Sequence, residues 1–449
     1  MTTPRVVSLD GLRGLAALLV VIHHALLTMS GFSAVYWGLP EPWFVTPFAH
    51  TPLHVVWAGG EAVLVFFVLS GVVLTLPAAA GRAHRWRAYY PSRLLRLYIP
   101  VVAAVTFAVL CALLWPRSVG ADYSEWVRAH GEQISPATVV RDMVLLNGTS
   151  WLNSPLWSLR WEVVFSLLLP AYVWIAVRFG KRWWPVIGAS LCAVSAIGSA
   201  VGSDAMRYLP YFGLGALIAV NVSAITNSAH RFFVSRHGPF AEVVLGAIAV
   251  LLITFSWWGP TSAGPVGNAL RAIPVVGGVV LVVVLALGSP GARRLLSTRA
   301  LTGLGTISFS LYLTHEPIVV SLAVMVPSDR SWVAPLLALP ICLVIAWCFW
   351  KGVERPAHKL ARSVARVADR PKRTDRDARQ GPDYSSRIEH EARVDRVGDR
   401  PPGGGPLPGY AVPVLCPHDQ LSREEAGPWI CRQCGHVFGA ASSLSPPTS

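Results

Sequence analysis

Two adjacent histidines interrupt an apolar run near the start of the chain. RVVSLDGLRGLAALLVVIHHALLTMS (Arg5–Ser30) opens polar, with Ser8, Asp10 and Arg13, and stays uncharged from Leu15 to Ile22 before His23 and His24. On a helix, the eleven residues from Arg13 to His24 span about 16 Å. That is close to half of a hydrocarbon layer about 30 Å thick. With Arg13 at a membrane edge, His24 lies near the midplane, where an ionisable group is expensive and faces a protein interior or a watery cavity. Imidazole titrates near neutrality, so the chemistry expected of it is general-base or nucleophilic. The bland alternative is that one histidine of the pair only hydrogen-bonds a neighbouring helix.

Other groups reach a similar depth. In SPLWSLRWEVVFSLLLP (Ser154–Pro170), Glu162 is ten residues into a span entered from the other side, about 15 Å. In ISFSLYLTHEPIVV (Ile307–Val320), His315 and Glu316 are ten or eleven residues into a span entered from the Arg13 side, again about 15 Å. Arg160 is placed to pair with Glu162 or Glu316. His24, Glu162 and His315 are therefore expected to share one level, a histidine–carboxylate set suited to proton transfer. A second group lies nearer the Arg13 edge. Ser70 and Gly71 fall in mid-span, where small residues let a backbone or an acyl chain approach closely. Arg93 and Arg96, spaced i, i+3, share a helix face and together with Arg13 can clamp phosphates; ordinary positive-inside charge is the alternative.

The elements that must hold these residues are membrane helices. The 449 residues are 53% hydrophobic and 14% charged, against about 25% charged in an ordinary soluble domain. Several separate apolar runs account for the shortfall, so the expectation is an all-α polytopic membrane protein with about ten transmembrane helices. The spans are read at 13–31, 61–80, 97–115, 152–176, 184–201, 207–222, 240–257, 272–288, 305–326 and 332–350. Loops after the second, fourth, sixth and eighth spans carry the arginines, including Arg82, Arg85, Arg178, Arg231 and Arg293. The positive-inside rule makes that side, with both termini, cytoplasmic. The same distribution explains a net charge of +14 without nucleic acid. Trp37, Trp43 and Trp57 sit in the opposite loops, where tryptophan usually anchors the interface.

Beyond Trp350 the composition turns charged. Residues 357–410 read as a disordered linker lying against anionic lipid at its basic start. Residues 411–440 hold a candidate zinc knuckle. Cys431 and Cys434 form Cys-x-x-Cys, and Cys416 with His418 can complete a tetrahedral structural zinc site, His436 being a rival ligand; an incidental or redox Cys-x-x-Cys, or no site, are the alternatives. Residues 441–449 continue as a disordered end.

Five stretches together resemble the membrane-bound acyltransferase-3 family of O-acyltransferases: LDGLRGLAALLVVIHH (Leu9–His24), VFFVLSGVVL (Val65–Leu74), SRLLRLYIP (Ser92–Pro100), PLWSLRWEVVFSLLLP (Pro155–Pro170) and ISFSLYLTHEPI (Ile307–Ile318). The match covers roughly residues 5–356. The resemblance implies transfer of an acyl group, usually acetyl, from acyl-CoA to a hydroxyl of a carbohydrate or small-molecule acceptor. It implies catalytic Arg13, His24, Glu162 and His315, and a donor site with Arg93 and Arg96 beside Ser70. One departure is Gly60–Leu64, where Glu61 stands in place of an aspartate that members often carry near the Phe-Phe pair. Two rival readings come from other classes: a proton-coupled transporter or flippase using the midplane cluster, and a membrane scaffold that works through its metal-binding tail.

Overall fold

The computed structural model describes residues 6–82, 85–131, 134–145, 148–259 and 264–369, and the backbone of 421–422, 429–431 and 437–438. Residues 1–371 and 372–449 are two separate compact units. In the first, every regular element among the described residues is helical. The long ones are α1 (Val7–Leu27), α2 (Gly59–Ala79), α3 (Trp86–Leu114), α4 (Leu156–Phe179), α5 (Trp184–Val201), α6 (Asp204–Val220), α7 (Val222–Phe233), α8 (Gly238–Ile253), α9 (Pro265–Gly288), α10 (Arg299–Met325), α11 (Val333–Phe349) and α12 (Arg355–Ala368).

Eight helices among the described residues are long and apolar enough to cross a bilayer, and α6 with α7, bent by 72°, makes a ninth. The seventh expected span, 240–257, corresponds to α8, an apolar helix of only 16 residues, about 24 Å long. The helical body also runs past the boundary expected at 356. Five residues of π-helix, Trp350–Glu354, lead into α12, whose Arg355, Lys359, Arg362 and Arg366 make one face basic. α12 lies along α3.

The central packing is backbone against backbone. α1 lies along α10, and α2 along α6. A Cβ at Gly14 would meet the Gly305 nitrogen at 2.6 Å and run into the Leu301 carbonyl, and one at Gly305 would run into the Asp10 carbonyl. At the second crossing Gly71 faces the Phe212 carbonyl and Gly215 faces the Val68 carbonyl. In a membrane the hydrophobic effect does not drive helices together, so close approach through small residues is what holds the pair. One apolar core joins α1, α2, α3, α4, α6, α9 and α10. A second joins α1, α10 and α11 to the connecting segments that carry Trp57 and Trp126.

In residues 372–449 the described backbone forms three short antiparallel strands, β1 (Leu421–Ser422), β2 (Trp429–Cys431) and β3 (Val437–Phe438). The zinc-ligand set Cys416, His418, Cys431 and Cys434 lies outside the residues whose side chains are described.

Candidate active site

The α1–α10 crossing decides which side chains meet. Consecutive residues on a helix point about 100° apart, so His23 and His24 leave α1 in different directions. His23 is buried, its Nδ1 2.8 Å from the Trp57 carbonyl and its ring stacked on Trp57 at 5.3 Å. It is the structural member of the pair. His24 turns toward α10, with Nδ1 3.0 Å from the Val20 carbonyl and 3.1 Å from His315 Nε2.

The hydrogen bonds assign the protons. His315 Nδ1 faces two carbonyl oxygens, Leu311 at 3.1 Å and Tyr312 at 2.8 Å, so it carries hydrogen and leaves Nε2 as an acceptor. His24 Nδ1 then donates, and the free lone pair of a neutral His24 is on Nε2. That nitrogen is 3.5 Å from Glu316 Oε2, and His24 lines an open cavity.

Glu316 is fully buried yet well supplied with donors. It accepts from the Ser154 N–H at 2.6 Å and the Ser154 hydroxyl at 2.7 Å, and lies 3.0 Å from His130 Nε2. Ser154 stands just before α4, so the positive end of that helix dipole also faces the carboxylate. His130 Nδ1 donates to the Trp126 carbonyl at 2.7 Å. Both residues come from the short helix Glu125–Ala129 and its cap. Sequence reading missed His130 and Trp126 because neither lies on a membrane helix: a connecting loop folds back and places them against α10.

Glu162 is elsewhere, and this corrects the expected cluster. Its Oε1 is 2.5 Å from Arg93 Nη2 and 3.5 Å from Ser70 Oγ, while Arg93 Nε also donates to Ser166 Oγ at 3.2 Å. Counting residues along α4 gave a similar depth, but α4 presents Glu162 toward α3 rather than toward His24. Arg160 pairs with neither carboxylate; its guanidinium lies over the Trp161 ring at 5.0 Å.

Two cavities result. The first, about 280 Å³, is lined by Arg13, Ser70, Arg93, Arg96, Glu162 and Glu354, among others. Glu354, on the π-helical turn, is held by Ser310 Oγ at 2.5 Å. The second, about 360 Å³, is lined by His24, Tyr36, Trp126, Trp151, Ser154 and Trp157, among others. Val63 and Tyr312 line both. The Tyr312 hydroxyl is fixed by the Pro155 carbonyl at 2.9 Å and Ser158 Oγ at 2.7 Å. Val63 and Tyr312 are thus wall residues common to the arginine end and the histidine end.

Residues 6–351 match the acyltransferase domain family, which is most of the chain. The chain belongs to the acyltransferase-3 family. It is an acyltransferase carried on membrane-type helices. The chain is 27% identical to the acyltransferase MdmB of Streptomyces mycarofaciens over 354 residues, 70% of this chain and 79% of that one. It is 32% identical to the O-acetyltransferase PaAT-1 of Phomopsis amygdali over 118 residues, a stretch that spans only 23% of that protein and 24% of this one. No solved structure matches it. Among the described residues no group of three His, Cys, Asp or Glu is arranged to hold a metal ion.

Proposed function

We propose that this protein moves an acyl group, acetyl in this reading, from acyl-CoA at the arginine end to a hydroxyl of a carbohydrate or other acceptor at the histidine end. The reading rests above all on the two cavities that meet at Val63 and Tyr312, one walled by arginines and the other by His24. Arg13 and Arg96 face the donor's phosphates, with Arg93 held in place by Glu162 and Ser70 beside them. The thioester end passes Tyr312. The acceptor hydroxyl gives its proton to His24 Nε2 as its oxygen attacks the thioester carbonyl. The C–S bond breaks, and the departing thiolate takes that proton back from the imidazolium. Glu316, 3.5 Å from Nε2, favours the charged ring during transfer; this role falls to Glu316 instead of Glu162. His315 keeps the His24 tautomer by accepting from Nδ1. The arginine-rich end is cytoplasmic by the positive-inside rule, which suits a cytosolic donor and a protein of the cell membrane. The word O-acetyltransferase in one relative's name agrees with oxygen as the acceptor atom.

The test supplies purified protein and labelled acetyl-CoA to envelope and small-molecule extracts from cells that lack the gene. Wild type should deposit label as an ester, and His24→Ala should lose about 10²-fold or more while inserting and melting as wild type does. Full activity in that variant removes the base assignment. Proton movement coupled to a solute, with no ester formed, would point instead to transport.

A further inference from the structure

The histidine-end cavity does not stop at His24. It shares His23, Tyr36, Gly60 and Trp157 with a neighbouring cleft of about 500 Å³, whose far wall carries Arg207, Asn268 and Arg271. Arg207 is in the first turn of α6 and Arg271 lies seven residues into α9, so two helices deliver cations to one place. Arg207 lies over the Tyr208 ring at 5.2 Å, and Arg271 donates to Asn268 Oδ1 at 2.8 Å. Neither guanidinium has a carboxylate within ion-pair distance among the described residues. Glu61, also on the wall, is already engaged, accepting from Trp257 Nε1 at 2.8 Å and Ser256 Oγ at 3.4 Å. Tyr208, Tyr211, Trp157 and Trp257 supply ring faces along the cleft.

We propose that this cleft holds the body of the acceptor, and that Arg207 and Arg271 select an acceptor carrying an acidic group, a carboxylate or a phosphate, remote from its reacting hydroxyl. The inference rests on the acyltransfer reading for its site and adds the acceptor's charge class. Guanidinium forks match the two oxygens of a carboxylate or phosphate, and ring faces suit the apolar face of a cyclic molecule. Gly60 controls the junction: a Cβ there meets nothing within 4 Å, so a larger side chain at 60 projects into the shared space instead of into a neighbour.

The test measures binding by calorimetry to the full chain in phosphatidylcholine nanodiscs without any acyl donor. The probes are phenyl glucuronide, glucose 6-phosphate and the neutral phenyl glucoside. At least one acidic sugar should bind about tenfold or more tighter than the glucoside. Arg207→Gln with Arg271→Gln should erase that preference and leave glucoside binding within twofold. Gly60→Leu should weaken all three while the melting temperature stays that of wild type. Equal binding of acidic and neutral sugars, equal loss of both in the arginine variant, or loss of the preference when phosphatidylglycerol is added would each overturn the proposal, the last by making the pair a lipid-headgroup anchor. These readouts need no ester formation, so they fail separately from the His24→Ala test.

Discussion

Two carboxylates belong to the candidate site, and their surroundings differ. Glu316 touches His24 and His130 and takes both donors of Ser154, whereas Glu162 is committed to Arg93. Glu316→Gln should therefore lower kcat by about 10²-fold with little change in KM for the acyl donor. Glu162→Gln should mainly raise KM for acyl-CoA and lower the melting temperature, because it takes from Arg93 the carboxylate it pairs with. Steady-state kinetics on both variants, each checked for melting temperature, decides. The reverse pattern, a kcat defect confined to Glu162→Gln, would return the catalytic carboxylate to α4. Neither assignment follows from depth alone. A residue count along a helix gives height in the membrane, while the azimuth that separates Glu162 from His24 comes from how α4 packs.

At the scale of elements, the site exists because α1 and α10 touch through glycine. Gly14→Leu should block that approach, since even a Cβ meets the Gly305 nitrogen at 2.6 Å; overpacking of this kind costs about 1–3 kcal/mol. The expected result is a lowered melting temperature and a loss of transfer without any change to a catalytic group; a normal melt with full activity would show that the helices can separate without consequence. The connecting segment Pro52–Trp57 offers a second test. His54 is fully buried, its ring stacked on Trp257 at 4.2 Å and neither ring nitrogen hydrogen-bonded. Burial pulls its pKa down from 6.5 to about 3. The unfolded chain thus binds a proton that the folded chain does not between those values, so His54 weakens the fold as pH drops from 6.5 toward 3. Melting followed by tryptophan fluorescence should show a decline over that window, and His54→Phe should flatten it. An unchanged slope would mean that other groups set the acid limit.

For the molecule as a whole, the acyltransferase-domain match covers residues 6–351, and residues 372–449 form a separate unit. Removing residues 372–449 should leave transfer by the membrane unit within about twofold if the tail only carries a metal. Metal analysis of the full chain should give one zinc per protein, lost on Cys431→Ser with Cys434→Ser. No zinc in the intact protein would end the knuckle assignment, and loss of transfer on truncation would make the tail part of the enzyme.

The linear chain was enough to establish a polytopic helical membrane protein and its family. Hydrophobic length, arginine placement and motif order are all properties that survive without knowing who neighbours whom. The span read at 240–257 is present as a helix of only 16 residues, Gly238–Ile253. Packing decided the rest. It set His23 against Trp57 and left His24 for α10, gave Glu162 to Arg93, and brought His130 from a loop to Glu316. Those pairings depend on helix rotation and on a loop folding back, both fixed by contacts between residues far apart in sequence, and no local periodicity encodes them.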